Sequence, residues 1–327
     1  MNSDENIDHK LNTGDFASEK HKIKISLLAS ALEEVDRSEL KTVGENLRQN
    51  LAMVNDMISF PHVICTILAA ESNRLLWDIE ARVNSGVLFP READEVGKRK
   101  YAVEMEKVFK EKVEPKRYEL ADKAIEEGDR QAIRLLKNKM LTEAYEGILR
   151  SGIVLIWCSL EVFLRSLWEN SLNAGRKDII KNILKNFDRM NNERNSSGVQ
   201  GKSISLEYLS KFNYDLSGKL GTALLYKFDF TSLSGMRDAF ITAFPKSITI
   251  KKAFANDTLV ELSIKRNIIV HNSGIIDEEY CSRLKLGKEQ IGHKMKIFND
   301  DLSRFGDAVI EMGIKIMNAV SSNISAA

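Results

Sequence analysis

Proline is scarce in this chain, and this scarcity constrains the fold more than any other sequence feature. Only four prolines occur in 327 residues, while long stretches are rich in Glu, Lys, Leu, Ala and Ile, which favour helices. Apolar residues recur at spacings of three and four and so share one helix face, as in the series Leu40, Val43, Leu47, Leu51, Val54 and Ile58. We therefore predict an all-α protein, because a β-rich fold needs more turn residues.

Composition divides the chain into three parts. Residues 1–17 are polar and lack the apolar core of a signal peptide, so they predict a disordered tail. Residues 18–145 predict an N-terminal helical domain, in which the Phe-Pro pair at 60–61 ends one helix and starts another. Residues 146–327 predict a second, autonomous helical domain, and the polar segment 191–204 within it predicts a mobile loop.

Residues 91–149 mix acidic and basic side chains closely. This pattern predicts long, exposed helices that carry many charge pairs. Two interpretations are open: a solvated arm without a binding role, or a specific surface for RNA or for a partner protein. The whole chain has a formal charge of +1 at pH 7, which does not indicate strong nonspecific binding to nucleic acid.

The cysteines and the apolar stretches of the sequence indicate in which cellular compartment we expect the protein. Cys65, Cys158 and Cys281 form no CxxC pair or Cys/His cluster and lie in apolar contexts, so we expect core residues in a reducing cytoplasm. The best membrane candidate, 152–164, is too short to span a bilayer, and we expect no membrane association. No P-loop or Rossmann glycine pattern occurs, and we expect neither a cofactor nor a metal.

One predicted helix places unusual polar residues among apolar ones. At about 100° per residue, Glu261 and Lys265 share one side of this helix, which we expect to face solvent. Arg266, Asn267 and His271 fall elsewhere, among the apolar residues. Polar side chains on a buried face must be paired, line a cleft or lie at an interface.

Arg266 and His271 have the spacing Arg-x4-His, and Asn267 directly follows the arginine. This string resembles the RX4-6H motif of the HEPN superfamily, whose all-α domains occur in metal-independent ribonucleases, toxins and phage-defence proteins. The apolar helix predicted at 153–169 is similar to the first long HEPN helix, which often carries a mid-helix acidic residue such as Glu161. The resemblance covers only the second predicted domain.

The resemblance implies an endoribonuclease that uses the RNA's own 2'-hydroxyl and leaves 2',3'-cyclic phosphate ends. Arg266 then holds the scissile phosphate and His271 transfers protons. Asn267 orients the imidazole or the phosphate, and Glu161 supports the site. Since Arg266 and His271 lie about 140° apart around one helix, one helix alone closes such a site poorly. The resemblance implies a homodimer in which two motifs form one composite site.

A cytoplasmic toxin or antiviral defence effector fits this interpretation, with the N-terminal helices as a sensor for a regulatory partner or another trigger. Some HEPN toxins carry the motif RX4HXY, whose tyrosine is modified by a partner nucleotidyltransferase. Ser273 occupies that position in this sequence, which argues against that mode of regulation.

The alternative is a noncatalytic, dimeric helical module for binding or assembly. Arg266 then pairs with Glu161 or another inward carboxylate and holds the helices together, and His271 is an ordinary core or cap histidine. Glu161 also lies at four-residue spacings from Arg165 and Glu169, so it fits an exposed ladder of ion pairs as well. An Arg266 locked to an internal carboxylate favours this alternative.

Overall fold

Helices form the whole regular structure of the described chain. The computed structural model describes residues 22–174, 179–185 and 206–325, and no β-strand occurs among them. The all-α prediction is confirmed. The predicted tail at 1–17 and the predicted loop at 191–204 lie outside the described residues.

The described part of the chain contains the following α-helices. In chain order they are α1 (Ile25–Glu33), α2 (Ser38–Ser85), α3 (Glu95–Val108), α4 (Arg117–Leu135), α5 (Lys139–Asn173), α6 (described for residues 179–185), α7 (Leu206–Ser210), α8 (Leu220–Leu224), α9 (Leu233–Ala243), α10 (Ile248–Ala253), α11 (Asp257–Asn272), α12 (Glu278–Leu284) and α13 (Asn299–Ser325). A wide π-helical turn at Phe109–Val113 and a 3₁₀ turn at Glu114–Lys116 join α3 to α4.

Two predicted boundaries differ from the structure. Helix α2 continues through Pro61 without interruption, although the Phe-Pro pair was expected to end a helix there. Helix α5 begins at Lys139, fourteen residues before the predicted apolar stretch. In both cases packing of a long helix outweighs a local signal, because propensity is only a weak prior.

The described chain forms two compact units. The first contains residues 57–147, and the second contains residues 22–56 and 148–325. The predicted boundary near residue 145 lies close to the division at 147, but the predicted assignment of residues 18–56 to the N-terminal domain differs from the structure. Residues 22–56 belong with the second unit because their apolar face packs in its core.

Helix α13 lies at the centre of the second unit and contacts α1, α10 and α11. Two of its glycines allow close approach of apolar side chains. A Cβ atom added at Gly306 would lie 2.5 Å from Ile23 Cγ1, and one added at Gly313 would lie 3.1 Å from Leu47 Cδ2 and 3.5 Å from Phe163 Cε1. The N-terminal residues and α5 therefore meet α13 in one core.

In the first unit, α2 packs against α3 and α4 through buried polar pairs. Tyr101 donates a hydrogen bond of 2.5 Å to Asp78, and this bond, together with Arg82 at 2.7 Å, holds the pKa of Asp78 below its usual value. His62 Nδ1 lies 2.8 Å from Asp129 Oδ1. The sequence offered no partner for His62, because Asp129 lies on another helix.

The charge-rich segment confirms the prediction of exposed helices with charge pairs. Four pairs within it have N–O distances between 2.6 and 3.1 Å, namely Lys98–Glu95, Lys110–Glu106, Lys123–Glu119 and Arg130–Glu127. Their side chains are largely exposed, so water screens these pairs and they add little to stability.

Helices α2 and α5 are long and apolar enough, by length and composition alone, to cross a membrane. Half of the apolar stretch of α5 is buried within the structure, and 28% of that of α2 is buried. Core helices of soluble proteins have the same length and composition, so these two properties do not show that either helix crosses a membrane.

Candidate functional site

Helix α11 carries the motif and has well-formed ends. Asn256 caps its start, since the Asn256 Oδ1 atom accepts a hydrogen bond of 2.9 Å from the Thr258 amide. At its end, Ser273 and Gly274 both have positive φ, and the Gly274 amide donates to the Ile268 carbonyl at 3.0 Å. The helix therefore ends directly before the Ser-Gly pair.

The predicted orientation of α11 is wrong on one side. Lys265, expected to face solvent, is only 8% exposed. Its Nζ atom lies 3.1 Å from Glu261 Oε1 and 3.2 Å from Asp301 Oδ1, while Arg304 of α13 donates two hydrogen bonds to Glu261, at 2.7 and 2.9 Å. Two acids and two bases thus compensate one another between α11 and α13, which allows the charges to be buried.

This four-residue charge network has a testable effect on stability. Hydrogen bonds from Arg304 lower the pKa of Glu261 in the folded protein from its ordinary value of 4.5, with help from Lys265. Since the folded pKa is lowered, the carboxylate stabilises the fold above that ordinary value, and this contribution is lost as pH falls through the folded pKa. We expect Glu261→Gln to lower the free energy of unfolding at pH 7 by about 1–2 kcal/mol.

Urea unfolding at pH 7 and at pH 3.5 measures this difference. The deficit of Glu261→Gln should shrink at the lower pH. Glu311→Gln is the matched control, because Glu311 lies on α13 and forms an exposed pair with Lys315; its cost should be below about 0.5 kcal/mol. Equal costs for the two variants at pH 7 would contradict the network.

Arg266 lies against α5 and has no carboxylate partner. Its Nη1 atom donates to Asn267 Oδ1 at 3.0 Å, and its guanidinium carbon lies 6.0 Å from the ring centroid of Trp157. Among the described residues, no carboxylate oxygen lies within 4.0 Å of the guanidinium. The buried Nε atom of Arg266 also has no hydrogen-bond partner in the described chain, whereas the Trp157 side chain interacts with the carboxyl group of Glu161.

Glu161 approaches this cluster from the next turn of α5. Burial raises the pKa of Glu161 above its ordinary value, and the charges of Arg266 and Arg165 oppose that shift. Glu161 therefore influences the guanidinium through space without forming an ion pair with it. Cys158, expected in the core, is exposed on the same stretch of α5, because only one face of that apolar helix is covered.

His271 is exposed and lies on a different side of α11. Together with Asn267 it lines a cleft of about 220 Å³, whose other wall is formed by Asn272 and by Tyr280 and Arg283 of α12. Burial raises the pKa of Tyr280 to about 12, so this phenol remains protonated at neutral pH. The cleft thus presents an imidazole, two amides and a guanidinium, together with the carboxylates of Asp277 and Glu279. Arg283 pairs with Glu279 at 3.4 Å.

Asn267 connects the two sides of α11. It accepts the hydrogen bond from Arg266, and it also lines the cleft beside His271. Arg266 faces Trp157 and Glu161, whereas His271 faces the cleft. The structure therefore brings Arg266 together with Asn267 and brings Asn267 together with His271, but it does not place Arg266 and His271 around one point.

Neither a protein-family model, nor a curated protein, nor a solved structure matches this chain. The function must be inferred from the residues themselves. Within residues 22–174, 179–185 and 206–325, no group of three or more His, Cys, Asp or Glu side chains is placed to hold a metal ion.

Sequence reasoning missed three residues of the candidate site: Trp157, Tyr280 and Arg283. Trp157 lies one helical turn before Glu161, so its side of α5 could have been anticipated. Tyr280 and Arg283 had no such signal, because tertiary contacts place α12 beside α11. Helix α12 contacts α11 directly. An antiparallel bridge between Ile275 and Lys294 and a hydrogen bond of 3.2 Å from Tyr280 to Met295 hold α12 and the turn before it against the segment that precedes α13.

Proposed function

We propose that this protein is a metal-independent endoribonuclease whose site is completed by a second copy of the chain. The observation that carries the proposal is the state of Arg266, which is half-buried, lies beside Trp157 and has no carboxylate partner among the described residues. A buried cation that only stabilises a fold is normally paired. An unpaired guanidinium beside exposed polar groups is suited to an incoming anion.

A phosphodiester is an anion of the right kind. Arg266 would bind a phosphate oxygen by charge-assisted hydrogen bonds and stabilise the additional charge of the transition state. Trp157 is only 1% exposed. Its fixed ring supports the guanidinium of Arg266 and limits its movement.

The reaction needs two proton transfers. One base removes the proton from the 2'-hydroxyl as its oxygen bonds to phosphorus, and one acid protonates the 5'-oxygen as the P–O5' bond breaks. Imidazole suits both roles near neutral pH. His271 is exposed at the edge of the cleft, where an RNA strand could reach it.

Dimerisation would solve the geometric problem of the single chain. Because Arg266 and His271 face different sides of α11, the arginine of one copy and the histidine of another would have to meet at the scissile phosphate. A two-fold axis beside α11 would create two such sites, each with residues from both copies.

A noncatalytic dimeric binding module is the second candidate, favoured by one observation. The guanidinium of Arg266 faces α5 and Trp157 instead of the cleft that His271 lines. In that case the polar groups of α11 serve an interface between copies, and no bond is cleaved.

Cleavage of single-stranded RNA in EDTA distinguishes the two candidates. The ribonuclease should produce 2',3'-cyclic phosphate or 3'-phosphate ends, which treatment with a phosphatase and mass spectrometry identify, and it should leave DNA intact. Since a trigger is expected, the same end groups should be sought in RNA from cells that overexpress the protein. Intact RNA in growth-arrested cells, or cleavage that EDTA stops, contradicts the proposal.

A further inference from the structure

The second half of α2 carries an exposed stripe of large apolar side chains. These residues, hereafter the apolar stripe, are Phe60, Val63, Ile64, Ile67 and Leu68, with exposures between 40% for Ile64 and 59% for Phe60. No Asp, Glu, Lys or Arg occurs between Asp56 and Glu71. An uncharged run of this length on an exposed helix face marks a site of interaction.

The apolar stripe has the spacing of a helix-pairing seam. Phe60, Ile64 and Ile67 follow one another at intervals of four and three residues, and Glu71 and Arg74 continue the same alternation. Alternation of four and three keeps residues along one line that faces a partner helix. Helix α4 does not cover this line, because it packs on the opposite side of α2 through His62 and Gly128.

The size of the apolar stripe suits an interface between two identical surfaces. If a large apolar side chain exposes about 150–200 Å² in full, five half-exposed ones offer roughly 400 Å². Two copies would together bury roughly 800 Å² of apolar surface, and the neighbouring side chains would bring the total above about 1,000 Å², the lower range for a specific interface.

Other occupants fit the apolar stripe less well. The sequences of residues 1–21 and 186–205 nowhere place three large apolar residues at successive spacings of three and four, so they lack the pattern of a complementary seam. A bilayer surface is disfavoured by charge, since residues 57–147 contain 16 Lys and Arg against 17 Asp and Glu, whereas helices that bind anionic membranes are rich in Lys and Arg. Asp56 and Glu71, which flank the stripe, would face the lipid headgroups.

We propose that the apolar stripe pairs with the same stripe of a second copy, in antiparallel orientation about a two-fold axis near Ile67. In such a pair, residues equidistant from Ile67 lie level with each other. Phe60 then meets Arg74, a favourable pairing of ring and guanidinium, and Val63 meets Glu71. No like charges face each other, so the surface is complementary to itself, as a two-fold interface requires.

This interface is independent of the proposed ribonuclease site, because its residues lie on a different unit from Arg266 and His271. If both two-fold interfaces form, each chain has two neighbours through different surfaces. The assembly is then a closed tetramer or an open chain of copies.

Light scattering on the full chain tests the pairing. Ile67→Glu places two carboxylates at the two-fold axis and should lower the molar mass relative to the wild-type protein, to one half for a dimer or a closed tetramer and to that of a dimer for an open chain. Because Ile67 is 57% exposed, the variant should keep its thermal stability. Phe60→Ser should weaken the pairing less and shift it to higher protein concentration.

Val83→Glu is the matched control, because Val83 is 68% exposed on the same helix and lies outside the apolar stripe; its mass should equal that of the wild type. A monomeric wild-type protein at micromolar concentration overturns the proposal, as does an unchanged mass for Ile67→Glu. Flotation with neutral and anionic vesicles tests whether the apolar stripe binds a membrane instead of a second copy. Vesicle binding by a wild-type monomer that Ile67→Glu loses would assign the stripe to a membrane instead.

Discussion

His271→Ala is expected to lower the rate of RNA cleavage by about 10²–10⁴-fold, the usual contribution of a positioned acid or base. The imidazole is exposed and forms no part of the core, so the variant should unfold at the wild-type temperature. Quantifying cyclic phosphate ends in a timed assay measures the loss. His293→Ala is the matched control, because His293 is also exposed and lies outside the cleft.

Arg266→Ala should lower cleavage to a similar extent, about 10²–10³-fold, since it removes a donor to the developing charge. Mixing the two inactive variants then tests the composite site directly. In a mixed dimer, one site receives Arg266 from one copy and His271 from the other and is intact. With random exchange of copies, about a quarter of the wild-type activity should return.

Other outcomes have clear meanings. A mixture that stays inactive after exchange of copies places both residues of each site on one chain and contradicts the composite arrangement. In cells, overexpression of the wild-type protein should arrest growth and fragment RNA, and His271→Ala should relieve both. Equal toxicity of the two proteins would leave the binding-module interpretation in place.

A fragment of residues 146–327 is expected to aggregate or to unfold without cooperativity. It lacks α1 and the first part of α2, whose buried apolar residues belong to the core around α13, namely Leu28, Leu32, Leu40, Leu47, Leu51 and Val54. Burial of one such side chain contributes about 1.5–3 kcal/mol, so the six together match the whole stability of a typical domain, about 5–15 kcal/mol.

Co-expression of residues 22–56 in trans should rescue the fragment, and circular dichroism with thermal unfolding measures the rescue. Leu47→Asp in the added segment is the matched control, because Leu47 is 1% exposed and contacts the α13 region at Gly313. A soluble, cooperatively folding fragment 146–327 would show instead that the second unit needs no N-terminal residues.

Local patterns in the sequence predicted part of this molecule well. The all-α class and the wide separation of Arg266 from His271 around α11 both follow from the spacing of residues in the sequence. The burial of Lys265 did not, because its compensating partner Asp301 lies on α13, thirty-six residues later. Periodicity treats a lysine as a solvent residue and contains no information about an acid brought near it by tertiary packing.

The predicted assignment of residues 18–56 to the N-terminal domain differed from the structure for a related reason. The spacing of apolar residues in α1 and in the first part of α2 predicts that one face of each helix is buried, but it does not specify which helix covers that face. Gly306 and Gly313 create the room for Ile23 and Leu47 on α13, almost three hundred residues away in the chain. Cys158 shows the opposite error. It was expected in the core because its neighbours in the sequence are apolar, but its face of α5 is not covered and the side chain is exposed.

The hydrogen bond between Arg266 and Asn267 also fixes the polarity of the cleft. Because Asn267 Oδ1 accepts from Arg266, the amide turns its Nδ2 group, a donor, toward other partners. In the proposed site, a ligand beside His271 would therefore meet a hydrogen-bond donor at Asn267, a group that suits carbonyl or phosphoryl oxygens. Without Arg266 the amide is free to rotate by half a turn and offer an acceptor, so this arginine also governs which functional groups the opposite side of its own helix recognises.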